Sequence, residues 1–226
     1  HQISDMYLGD PESFSGHFVV DLTTTKERPI FGSYNDADVH NMSGTFTAQY
    51  GLHIDAAAEC ATCHTLYTTP FDAQGVPVPD QEMFPEQVPY LEWMFSDFAD
   101  GVAPDVTCQA CHMPDISGSA LLVKQDNHPL RSAFGKHYFS SGNALMLEIV
   151  RDNSAEWGVT ATTANFQEQL DLSAALLADE TADLTIEDAR IERGTLSVDL
   201  RVANKTGHKM PTGIPIRRAW IFLQVV

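Results

Sequence analysis

The chain of 226 residues reads as an α+β protein, with a loop- and helix-rich region over 1–180 followed by a partial antiparallel β region over 181–226. Three observations predict this. Apolar residues recur at helical spacing over 89–98 and 165–180, and from Leu196 onward they alternate one by one with polar residues. All four cysteines fall in the first region, in two copies of one five-residue pattern.

Residues 1–55 are rich in Gly, Ser, Thr, Asp and Asn, with short apolar pieces such as 18–22, which predicts loops and an occasional strand. Over 89–98, Tyr90, Leu91, Trp93, Met94, Phe95 and Phe98 follow a helical period, with Pro89 suited to the first turn. A further apolar helical stretch covers 144–150. From 165 to about 180, Phe166, Leu170, Ala174, Leu176 and Leu177 predict a helix with one buried stripe. Leu196, Val198, Leu200 and Val202 then alternate with Ser197, Asp199 and Arg201, as in a strand with two unlike faces. Leu184 and Ile186 begin an earlier strand, with a turn at Arg193, Gly194 and Thr195, and 219–226 is again strand-like. The sheet is thin and its apolar run at 221–226 lacks a polar cap, so a longer polypeptide or a partner subunit is expected to complete it.

Thirteen Lys and Arg against 31 Asp and Glu give a formal charge of -18, which argues against a nucleic-acid partner and favours basic partners or a saline setting. A heavily solvated acidic face with no partner is the plainer alternative. No run of apolar residues approaches the length of a membrane span.

The two motifs are Cys60, Ala61, Thr62, Cys63, His64 and Cys108, Gln109, Ala110, Cys111, His112, and they use every cysteine. Two residues between the cysteines and His directly after the second is the spacing for c-type haem attachment. Each sulfur forms a thioether to one vinyl group while the adjacent imidazole reaches the iron, so all three bonds come from one turn of chain. A pair of disulfides would not require His after each second cysteine. A single zinc site usually has a shorter gap between its pairs, and a thioredoxin-like pair occurs once, in a βαβ setting. Two haem c groups are therefore expected, with Cys60, Cys63, Cys108 and Cys111 as thioether sites and His64 and His112 as proximal iron ligands. No cysteine remains for a third. The motifs' flanks differ, so no internal repeat is assigned. Because bacteria attach c-type haem after export, the protein is expected in the periplasm or outside the cell, its signal peptide removed before His1.

What fills the other axial position separates a carrier from an enzyme. His137 lies in an aromatic, Gly-containing loop before 144–150, and His208 in a turn-rich excursion between two strand-like runs; both are distal candidates. His53, seven residues before Cys60, and His40, followed by Asn41 and Met42, come next, with a loop hydrogen bond as the simpler role for each. Nothing around His17 or His128 marks a haem contact. Met113 follows a proximal His directly and suits packing, while Met42 and Met210 stand behind the histidines as candidates.

Taken together, Glu59 to Leu66, Tyr90 to Asp97, Thr107 to Pro114, His137 to Asn143 and Asn204 to Trp220 resemble a large group of bacterial multihaem cytochromes. The most specific pieces are Cys108 to Pro114 and the turn Gly207, His208, Lys209, Met210, Pro211, Thr212, Gly213, with Arg217, Arg218, Ala219 and Trp220 after it. The resemblance implies low-spin electron-transfer haems and an immunoglobulin-like strand region, and it strengthens His137 and His208 as ligands. Members of such groups often carry more haems, so a histidine here could instead serve a haem of a neighbouring subunit.

Two functions follow. In the preferred one the chain is an electron carrier with two six-coordinate, bis-His haems that pass electrons between redox protein partners, with a variant in which subunits self-associate through the C-terminal strands and stack into a haem chain, a larger multihaem assembly or filament. In the alternative, one haem keeps an open distal site and the protein is an oxidoreductase acting on peroxide or a nitrogen oxide. Lys136, Tyr138, Arg217 and Arg218 are the acid-base candidates for that chemistry, or more simply haem-propionate partners.

Overall fold

The computed structural model describes residues 3–20, 28–34, 46–78, 81–99, 106–121, 129–132 and 134–225. In chain order its elements are β1 (Arg28–Gly32), β2 (Phe46–Tyr50), α1 (Ala57–Ala61), β3 (Leu66–Thr68), β4 (Phe84–Gln87), α2 (Pro89–Met94), α3 (Cys108–His112), β5 (Ser119–Ala120), β6 (Arg131–Ser132), α4 (Ala144–Asp152), α5 (Thr163–Asp179), β7 (Ala182–Glu192) and β8 (Thr195–Asn204). This is a mixed α+β chain. Its sheets among the described residues are two-stranded, with β1–β2 parallel and β3–β4, β5–β6 and β7–β8 antiparallel. No described helix is long and apolar enough to cross a membrane. Two compact units form, one from 1–136 with 211–226 and one from 137–210.

The core of the first unit sits at α1. Ala57 and Ala61 are one helical turn apart on the same face, and their small side chains let Phe14 and Tyr90 close over them; all four are buried. Phe14 meets Tyr90 edge-on at 6.2 Å, and Trp93 stacks on Tyr90 at 5.9 Å. Cys108 packs against the same cluster. The helix expected over 89–98 ends early, at Met94. Ser96 Oγ donates to the Trp93 carbonyl at 2.8 Å and accepts from the Phe98 amide at 3.3 Å, which diverts the chain from the helical path.

In the second unit, α5 starts two residues before the expected 165. Thr162 is its N-cap, with Oγ1 accepting from the Asn165 amide at 3.2 Å while Asn165 Oδ1 accepts from the Thr162 amide at 3.0 Å. The buried stripe is Phe166, Leu170 and Ser173, whereas Ala174 and Leu177 are exposed. The predicted face is thus turned slightly, because the small Ser173 lies on the inward side.

The strands expected around Leu184 and Leu196 form one hairpin. Its two-residue loop has φ 53° at Arg193 and 81° at Gly194, the primed turn whose twist suits paired strands. Ile186 pairs with Leu200 and Asp188 with Asp199, leaving Glu187 as an extra residue. That bulge changes the parity of β7. Leu184 and Ile186 before it, and Ala189 and Ile191 after it, therefore share one face with Val202, Leu200, Val198 and Leu196. The strand expected at 219–226 is not formed: 219–225 belongs to no ladder among the described residues, and an extended run becomes a strand only where another edge takes its hydrogen bonds.

Candidate cofactor site

The first motif runs out of α1. The His64 amide donates to the Cys60 carbonyl at 2.9 Å, so the helical turn continues through the histidine. Thr62 and Thr65 are buried, and their carbonyls accept from the Gly16 amide at 2.8 Å and the Ser15 amide at 2.9 Å. With those two residues pinned inward, Cys63 and His64 between them are exposed, and Cys60 is half-buried.

The second motif is α3 itself. Cys108 is half-buried against the core, Cys111 is exposed and His112 is half-buried. In each turn, Cys at i, Cys at i+3 and His at i+4 share a helix face. Gln109, between the cysteines, donates from Nε2 to the Ile54 and Ala56 carbonyls at 3.0 and 2.9 Å, fastening α3 to the chain leading into α1. Helix α2 joins both motifs: the Tyr90 amide donates to the His64 carbonyl at 3.4 Å, and Trp93 Nε1 donates to the Val106 carbonyl at 2.9 Å.

The first cysteines of the motifs meet. The Cys60 thiol hydrogen-bonds to Cys108, which, with burial, pushes Cys60 well above the ordinary thiol range; the same bond holds Cys108 below it against the opposing effect of burial. Burial also raises the Glu59 carboxyl, against the pull of His53, and partial desolvation raises the exposed Asp55, with the Asp115 charge adding to the effect.

None of the four cysteines is in a disulfide. Among the described residues no group of three or more His, Cys, Asp or Glu could hold a metal ion, so a single zinc site drawn from both C-x-x-C pairs is not assembled. The donor set suits haem c better. Each turn presents an exposed cysteine beside an imidazole, next to a half-buried cysteine.

Of the distal candidates, His53 lies in the first unit, in the 3-10 turn Leu52–Asp55 that leads into α1. Its Nε2 is 3.0 Å from the Ile3 carbonyl and its ring meets Phe31 edge-on at 4.9 Å, a tie between loops. His40 lies outside the described residues, as do His1, His128 and Met42. His17 has Nδ1 2.7 Å from the Phe14 carbonyl. His137 and His208 belong to the second unit. The His137 ring is edge-on to Phe139, whose φ is 48°, and the neighbouring Tyr138 hydroxyl donates to Glu168 at 2.7 Å. The His208 carbonyl accepts from Asn204 Nδ2 at 2.7 Å, which shapes its loop, and its Nδ1 lies 3.1 Å from the Lys209 carbonyl.

Among the acid-base candidates, Tyr138 is tied to α5 through Glu168, Arg217 donates to the Thr212 carbonyl at 3.2 Å and Arg218 to the Pro215 carbonyl at 2.8 Å. The Lys136 amide donates to the Pro114 carbonyl at 3.0 Å. Sequence reasoning missed Gln109 as the clamp, since the residues between motif cysteines read as spacers, and missed that α2 touches both motifs. No family model, curated protein or solved structure matches the chain.

Proposed function

We propose that this chain is a dihaem c-type cytochrome that passes electrons between redox protein partners. The observation that carries the proposal is that α1 and α3, which open two complete C-x-x-C-H motifs, abut on one core, with Cys108 packed against the cluster that holds Ala57 and Ala61. Cys60 and Cys63 would anchor one haem and Cys108 and Cys111 the other, with His64 and His112 binding iron. When bound, the haems supply reversible one-electron chemistry.

The protein's own contribution is placement. With both motifs carried on one core, two attached haems would be held near each other, and electron tunnelling falls steeply with distance. Gln109, Tyr90 and Trp93 hold both motifs on one core, so the spacing is fixed by buried structure rather than by a loop. The acidic chain suits basic partners. His137 and His208 remain the proposed distal ligands, carried by the sequence resemblance, and the setting is proposed to be periplasmic or extracellular.

The deciding experiment is haem quantification with a visible spectrum of the reduced protein before and after carbon monoxide. Two haems per chain and an unchanged spectrum are expected. A shift of about half the signal would mean one distal site is open and would favour an oxidoreductase; absence of covalent haem from cells equipped to attach it would overturn the proposal.

A further inference from the structure

We propose that Cys60 and Cys108 form a disulfide across the two motifs in the chain that has not yet received haem, so that one bond closes both motifs at once. The pairing stands on placement. Cys60 lies in α1 and Cys108 opens α3, and these short helices abut. Gln109, adjacent to Cys108, is held by two hydrogen bonds to the carbonyls of Ile54 and Ala56 just before α1. Cys108 packs on the cluster that contains Ala57 and Ala61, and its thiol accepts a hydrogen bond from Cys60. Cys63 and Cys111 are exposed instead.

A small disulfide such as oxidised glutathione is the oxidant. Cys108 as thiolate attacks one glutathione sulfur, the glutathione S–S bond breaks, and the first glutathione leaves and takes a proton from water. Cys60 then gives its proton to solvent and displaces the second glutathione from Cys108. Two protein thiols become one disulfide, and two electrons and two protons pass to glutathione. The bond itself is independent of haem. Its consequence rests on the dihaem proposal: it withholds one sulfur from each motif, so a single thiol exchange releases both motifs for attachment together.

The test uses the full chain made without haem attachment, equilibrated with oxidised and reduced glutathione, alkylated, digested and mapped by mass spectrometry. In buffer the Cys60–Cys108 linkage should dominate, with Cys63 and Cys111 alkylated. In guanidinium chloride the pairing should shift to Cys60–Cys63 and Cys108–Cys111, whose short loops close most readily. Within-motif bonds dominating in buffer, or the same distribution in both solvents, would overturn the proposal. In the Cys63→Ser, Cys111→Ser double variant the remaining pair should oxidise at least about tenfold faster in buffer than in denaturant, where only a long loop brings it together; equal rates would also overturn it. These readouts are blind to haem, so a chain that never takes up haem refutes the dihaem proposal while leaving the disulfide result standing.

Discussion

Thr212 Oγ1 donates to Glu92 Oε2 at 2.6 Å, joining the segment after the His208 turn to α2 across 120 residues of sequence. The segment that follows is anchored by little else of an apolar kind, since Ile216, Trp220 and Phe222 are all more than three-quarters exposed. Replacing Thr212 by Val keeps the shape and removes the donor. The expected cost is about 1 kcal/mol of local docking, roughly a fivefold loss of hydrogen-exchange protection at the Arg217 amide, which donates to the Ile214 carbonyl just after Thr212. Unchanged protection there would show that other contacts hold the segment.

Gly9 has φ 84°, and a Cβ placed on it would stand 2.6 Å from the Tyr90 hydroxyl and 3.1 Å from the Ala58 Cβ. Both the backbone and the space demand glycine. Gly9→Ala should destabilise the chain by about 1–3 kcal/mol from the backbone alone, with the clash adding to it. In a Tyr90→Phe background the penalty should shrink, because the ring carbon behind the hydroxyl lies 3.5 Å away. Urea midpoints of the four chains give the coupling directly, and a coupling of zero would mean the ring moves aside freely.

These contacts mark where legibility in the sequence ended. The cysteine motifs are written locally, each within five consecutive residues, and helix α5 and the β7–β8 hairpin were legible from apolar period and from the Arg193–Gly194 turn. The bulge at Glu187 was also visible in principle, as the shift of apolar positions from Leu184 and Ile186 to Ala189 and Ile191. Gly9 against Tyr90, Gln109 against Ile54, and the parallel pairing of β1 with β2 are meetings of distant segments that no local period encodes. The expected helix at 89–98 failed at Ser96, where a side chain competed for the Trp93 carbonyl.

Arg193 occupies the first central position of the hairpin turn at φ 53°, a conformation that asparagine tolerates better than arginine. Arg193→Asn should stabilise the hairpin by up to about 1 kcal/mol by relieving that strain. The check is a higher urea midpoint, with slower amide exchange along β7 and β8. A neutral or lower midpoint would show that Arg193 contributes a surface interaction worth as much as the turn.

Asp55 sets a pH dependence whose sign follows from its surroundings. Asp55 is exposed, but partial desolvation and the nearby Asp115 charge raise its folded-state pKa above the unfolded value, so the folded chain binds more protons across that interval and loses stability as the pH rises through it. Below the ordinary aspartate value of about 3.9 the group is protonated in both states and the effect vanishes. Asp55→Asn removes the charge at every pH. The variant should therefore be more stable than the parent near pH 7, and the gain should contract as the pH falls toward about 4, measured as paired urea midpoints. A gain that is flat with pH would mean the carboxylate is not penalised in the folded chain, and a loss near pH 7 would mean its charge is held by a favourable partner.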